Sequence, residues 1–97
     1  MIVGVSSFEL HFPSSRSLKD KRRIVKSLVD RLFQRYRVSV AETGFHELHQ
    51  RAEITVAVVT NGEGEMEKMM AEIRSLVERE PEAFLTHWDP QILEGVR

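Results

Sequence analysis

Residues 16–37, RSLKDKRRIVKSLVDRLFQRYR, decide how the rest of the chain is arranged. At about 100° per residue, Leu18, Val25, Leu28, Val29, Leu32 and Tyr36 fall within one arc, with Phe33 at its margin, so the stretch reads as an amphipathic helix. Ser17 is the expected N-cap, and Asp20 three positions on makes a shortened capping box. On the opposite arc lie Lys19, Arg23, Lys26, Asp30, Arg31 and Arg35, with Lys21 and Arg22 flanking the apolar stripe in the first turn. The segment holds nine Lys or Arg against two Asp, while the whole chain is at −1. A basic element is therefore hidden in a nearly neutral protein.

Before this helix, Ile2, Gly4, Ser6, Phe8, Leu10 and Phe12 alternate with Val3, Val5, Ser7, Glu9 and His11, the period-2 pattern of a strand. Pro13 and the turn formers around it end the strand. After the helix, VSVAETGF at 38–45 reads as a second strand and HELHQR as a turn. AEITVAVVT at 52–60 reads as a third strand whose Ala52, Ile54, Val56 and Val58 share one face. From Glu65, Met66, Met69, Met70, Ile73, Leu76 and Val77 recur at helical spacing until just before Pro81, giving a second, mostly acidic helix. AFLTHW at 83–88 is a last strand, and residues 89–97 are expected to fray.

The order strand, helix, strand, strand, helix, strand predicts an α+β, ferredoxin-like split βαβ fold. Two helices then cover one face of a four-stranded antiparallel sheet. Residues 1–97 read as one domain, without linker, repeat or low-complexity segment. With 41% apolar and 30% charged residues the composition is globular, and no stretch reaches the roughly 20 apolar residues of a membrane span. The opening MIVGVSSFELHF lacks a basic leader and alternates, so a strand is expected there rather than a signal peptide. The absence of cysteine excludes disulfide and thiolate chemistry and fits a cytoplasmic location.

Two readings of the basic helix stand side by side. Lys19 with Arg23, Arg22 with Lys26, and Arg31 with Arg35 are like charges four apart, and Lys19, Lys21 and Arg22 sit at the helix end that prefers anions. Selection for stability alone would avoid this, which favours an anion-binding surface for phosphates. In the other reading Glu67, Glu72 and Glu78 of the second helix neutralise the first. The uncovered sheet face, with Val3, Val5, Ala57 and Val59, is a candidate homodimer contact. Base stacking on the sheet is disfavoured because RAEITVAVV carries no aromatic ring.

The remaining motifs argue against other chemistries. His46 and His49 are too few for a zinc site, and read as histidines of a surface turn. NGEGE at 61–65 lacks the Lys and Ser/Thr of a phosphate-binding loop. The methionines at helical spacing fill core space. Neither a cofactor nor a metal site is expected. Acylphosphatases share the element order, but their Gly-rich loop with Gln and Arg is missing around Ser14, Ser15 and Arg16, so phosphoryl hydrolysis is the lesser alternative.

Taken together, MIVGV at the start, SRSLKDKRR at 15–23, VSVAE at 38–42 and QRAEITVAVV at 50–59 resemble the YlxP-like family of small bacterial proteins, over Met1 to about Trp88. The resemblance implies a ferredoxin-like fold and no established catalytic activity. It also implies a gene neighbourhood of translation-initiation and ribosome-maturation factors, hence RNA or the small ribosomal subunit as partner. Ser17, Leu18, Lys19, Lys21, Arg22, Gln50 and Arg51 match the family's motif positions, whereas His49 stands where the resemblance leads one to expect Trp. The sequence thus predicts a non-enzymatic protein that contacts structured RNA or the ribosome through Arg16, Lys19, Lys21, Arg22, Arg23, Lys26 and Arg51. Its alternative is a homodimeric interaction module.

Overall fold

The alternation that begins at Ile2 becomes one of the two central strands of the sheet in the structure, a computed structural model that describes residues 1–94. The elements are β1 (Ile2–His11), α1 (Leu18–Tyr36), β2 (Ser39–Gly44), β3 (Arg51–Thr60), α2 (Glu63–Glu78) and β4 (Phe84–Glu94). The sheet order is β2-β3-β1-β4 with every neighbouring pair antiparallel, which is the ferredoxin-like arrangement.

Each central strand sends one face into the core. Ile2, Gly4, Ser6, Phe8 and Leu10 of β1 and Ala52, Ile54, Val56 and Val58 of β3 are buried. Against them pack Ile24, Val25, Leu28 and Leu32 of α1 and Met66, Met70, Ile73, Leu76 and Val77 of α2. The buried arc of α1 is rotated from the expected stripe. Lys21 and Leu28 lie at its centre and Ile24 at its margin, Leu18, Val29 and Tyr36 are half-buried, and Phe33 is exposed. Side chains of α2 fill the space over Gly4: a Cβ there would overlap Sδ of Met66.

The helix ends follow their local chemistry. Ser17 is extended and its Oγ accepts from the Asp20 amide at 3.0 Å, as a cap should. The Asp20 carboxylate in turn accepts from the amide of Arg16, one residue further out than in a capping box. Arg37 closes α1 in the left-handed region at φ 53°, its N–H bonded to Phe33 O at 2.9 Å.

One boundary differs clearly from expectation. The chain does not leave the sheet at Asp89: β4 runs on to Glu94, pairing Asp89 with Ser7, Pro90 with Ser6 and Glu94 with Ile2. Pro90 is tolerated because β4 is an edge strand, where a missing N–H costs no ladder bond on the outer side. The other expected tail residues, 95–97, lie outside the described residues.

Candidate functional site

Two motif segments, around 15–23 and 49–51, meet at one end of the sheet. β1 ends at His11 and β3 begins at Arg51, its register partner, so the loop into α1 and the loop between β2 and β3 leave the sheet side by side. Backbone and side chain then join them. Phe12 N–H donates to Gln50 O at 2.9 Å, and Gln50 Nε2 donates to the carbonyls of Pro13 and Ser15, both at 3.3 Å. Ser15 is buried and its Oγ donates to Ser17 O, which ties the same loop to the cap of α1.

Lys21 completes this corner, and it corrects an expectation. Read from sequence as a phosphate-binding cation, it is fully buried and points between α1 and the β2–β3 loop. Its Nζ donates to the carbonyls of Phe45 (2.9 Å), Arg51 (3.1 Å) and His46 (3.4 Å), and lies 3.1 Å from Glu42 Oε2. An ammonium withdrawn from water needs such a set of oxygens, and with its donors committed it has nothing to offer a ligand. Its motif position reflects a structural task. The spacing held the signal: Lys21 is four residues before Val25 and seven before Leu28, inside the apolar arc.

The loop that Lys21 holds contains Phe45 at φ 59°, a left-handed conformation that is costly for a bulky residue. Three contacts fix it. Phe45 O accepts from Lys21 and from the amide of Leu48 (3.0 Å), and the Arg51 guanidinium lies 4.0 Å from the Phe45 ring centroid. Arg51 is also paired with Glu9 at 3.4 Å and keeps about half of its side chain in solvent. His46 donates from Nε2 to Glu42 O at 3.2 Å. His11, Leu48, His49, Gln50 and Arg51 line an open cavity of about 270 Å³. Among the described residues no group of three metal-ligating side chains forms, so His46 and His49 are not joined by further ligands.

The other predicted cations divide into two groups. Lys19, Arg22, Arg23 and Lys26 are exposed on the outward arc of the first turns of α1, three or four residues apart, and Arg16 is exposed just before them. Arg23 donates to both oxygens of Glu82 at 3.1 and 3.3 Å, and this hydrogen-bonded carboxylate raises its guanidinium pKa further above the ordinary value. Lys26 pairs with Asp30 at 2.9 Å. Arg16, Lys19 and Arg22 form no ion pair among the described residues. Neutralisation by Glu67, Glu72 and Glu78 does not occur among the described residues. The acids that reach α1 from beyond α2 are instead Glu80, with Arg31, and Glu82, in the turn that follows it. Arg51, on the opposite face of the sheet from α1, is separate from the helical row.

The sequence profile of the family described as "Protein of unknown function (DUF503)" matches residues 3–89. The chain belongs to this family. A DUF503 assignment agrees with similarity to the uncharacterized protein YlxP of Bacillus subtilis (strain 168), 29% identical over 91 residues, 90% of this chain and 99% of that protein. The fold is shared with a de novo designed ferredoxin-fold protein solved by solution NMR, at TM-score 0.54 and 16% identity, over 100% of this chain and 90% of the designed one. In this DUF503 chain the motif residues thus fall into two roles: Ser17, Lys21 and Gln50 build the corner, while Lys19 and Arg22 face outward from it. Phe45 and Leu48 belong to the same corner and carry no sequence signal, because a left-handed Phe is recognisable only once the loop is closed, and Glu42 ends the VSVAE stretch without showing there that it faces Lys21. No helix among the described residues is long and apolar enough to cross a membrane.

Proposed function

We propose that this protein is a non-enzymatic, cytoplasmic RNA-binding protein that grips the phosphates of a structured RNA, such as that of a ribosomal subunit, with Arg16, Lys19 and Arg22. The observation that carries this reading is that these three exposed cations are unpaired among the described residues while Arg23 and Lys26 beside them have carboxylate partners. Leaving like charges together at the positive end of a helix destabilises the fold, and a polyanion is the ligand that reverses the penalty. The test is fluorescence anisotropy with a structured RNA across a salt series. Affinity should fall log-linearly with salt, and Lys19→Glu with Arg22→Glu should flatten the slope by about 0.7 to 0.9 per phosphate contact removed. Salt-independent binding, or an unchanged slope in the variant, would overturn the reading.

A second reading is supported by the open face of the sheet. Val59, Val3 and Leu93 stand in register across β3, β1 and β4, with Val59 67% and Leu93 53% exposed, and Val5 and Ala57 form the next pair. Such a row fits a contact with a second copy of the chain. Beyond it the face turns polar: Thr55 Oγ1 bonds Ser7 Oγ at 2.9 Å and Thr43 Oγ1 at 2.8 Å, and Thr43 donates to Glu53 at 2.6 Å. This contact would use the face opposite α1 and leave the basic row accessible.

A further inference from the structure

The cavity beside the corner has features that the phosphate-binding reading does not use. It is lined by His11, Leu48, His49, Gln50 and Arg51. At about 270 Å³ it lies at the small end of ligand sites, in the range of one planar ring system rather than a larger cofactor. We propose that it receives a single unstacked nucleobase of the same RNA whose phosphates rest on Arg16, Lys19 and Arg22. This rests on the reading above.

Three observations point to that ligand. Four of the five lining residues, His11, His49, Gln50 and Arg51, carry planar side-chain groups, and Arg51 is held over the Phe45 ring at 4.0 Å and paired with Glu9, which restrains it before any ligand arrives. Unpaired bases are held by stacking on His, aromatic and Arg planes of this kind. The walls are also rigid for a loop. Phe45 is pinned in its left-handed conformation by Lys21, and Gln50 spends both amide N–H groups on Pro13 O and Ser15 O. A wall ordered in advance loses little entropy on binding. Finally, Gln50 hydrogen-bonds the carbonyl of Ser15, the neighbour of Arg16, so the cavity and the unpaired cations share one end of the molecule. The cations attract the backbone, and Leu48 with the rings offers the apolar surface that a base needs on leaving its stack. The central strands lack aromatic residues on their open faces, so the base site lies at the sheet's end rather than across it.

The test uses two RNA hairpins that differ only by a single-nucleotide bulge carrying 2-aminopurine, titrated with the full chain. The bulged RNA is expected to bind about tenfold or more tightly than the fully paired one, with its fluorescence quenched, as stacking of one base allows. His49→Ala should bring the two affinities together without changing the salt slope. His49 is exposed, and circular dichroism would confirm that the variant folds. Leu48→Ser, at a second wall of the cavity, should act the same way. Equal affinity of the wild type for both hairpins, or a preference that survives both variants, would overturn the base site while salt-dependent binding left the phosphate reading standing. Absence of salt-dependent binding to either hairpin would overturn both.

Discussion

Lys21 Nζ lies 3.1 Å from Glu42 Oε2, with the lysine side chain fully removed from solvent and the glutamate side chain 18% exposed. That oxygen is buried and has no hydrogen-bond donor in suitable geometry, so its compensation is the charge of Lys21 alone. The lysine has three carbonyls besides, all in or next to the loop that forms the cavity. Removing the cation would strand a carboxylate oxygen and three acceptors together. Lys21→Ala should therefore cost about 3–5 kcal/mol of stability in urea denaturation. Lys21→Met combined with Glu42→Gln should cost less, because neither charge is left alone. A Lys21→Ala penalty near zero would show that the pair contributes nothing.

Gly4 gives an independent test of the core. A methyl group there meets Sδ of Met66 at 2.4 Å and Cε of Met70 at 2.8 Å, both from α2. Both atoms lie toward the ends of flexible methionine side chains, so Gly4→Ala is expected to destabilise by about 1 kcal/mol, the low end of overpacking. Met66→Val in the same chain should return part of the loss by vacating the space. Thermal denaturation of the two single variants and the double variant measures it, and simple additivity would refute the clash.

Glu82 is positioned to restrain the basic row. It holds Arg23 by two hydrogen bonds between exposed groups, so the pair should matter little to stability. Glu82→Gln removes the competing carboxylate while keeping a similar shape. Affinity for structured RNA should rise, and its log–log salt slope should steepen by up to about 0.7 to 0.9 as Arg23 becomes available to a phosphate. Weaker binding in this variant would place Glu82 in the ligand contact itself.

Val59 tests the open face. A wild type that runs as a dimer in size-exclusion chromatography with light scattering should become monomeric in Val59→Lys, since two copies would bring like charges together in an apolar row. The exposed position of Val59 predicts no loss of folding stability beyond about 0.5 kcal/mol. A wild type that stays monomeric at high concentration would end the homodimer reading.

Much of the fold was legible because the relevant signals are local. Alternation through Ile2, Phe8 and Leu10 marked the buried face of β1, as Ala52 to Val58 did for β3, and both faces are as expected. The extent of β4 was not legible: Pro90 reads as a break, and it is compatible with a strand only at a sheet edge, a position set by topology. In the candidate site, exposure of Lys19 followed from helical spacing, whereas Arg22 and Lys21 were both read as flanking the apolar stripe, and Lys21 was misread because its charge outweighed its position in the apolar arc.

By itself, then, the sequence determined the elements, their order and the buried faces of β1 and β3, since periodicity depends on residues a few positions apart. Only the tertiary structure decided which cations have distant partners. Lys21 meets carbonyls 24 and 30 positions away, and Arg23 meets Glu82 across 59. Ion pairing falls off with distance in space, and distance in space between such positions is fixed only when the sheet closes and brings the two loops to one end.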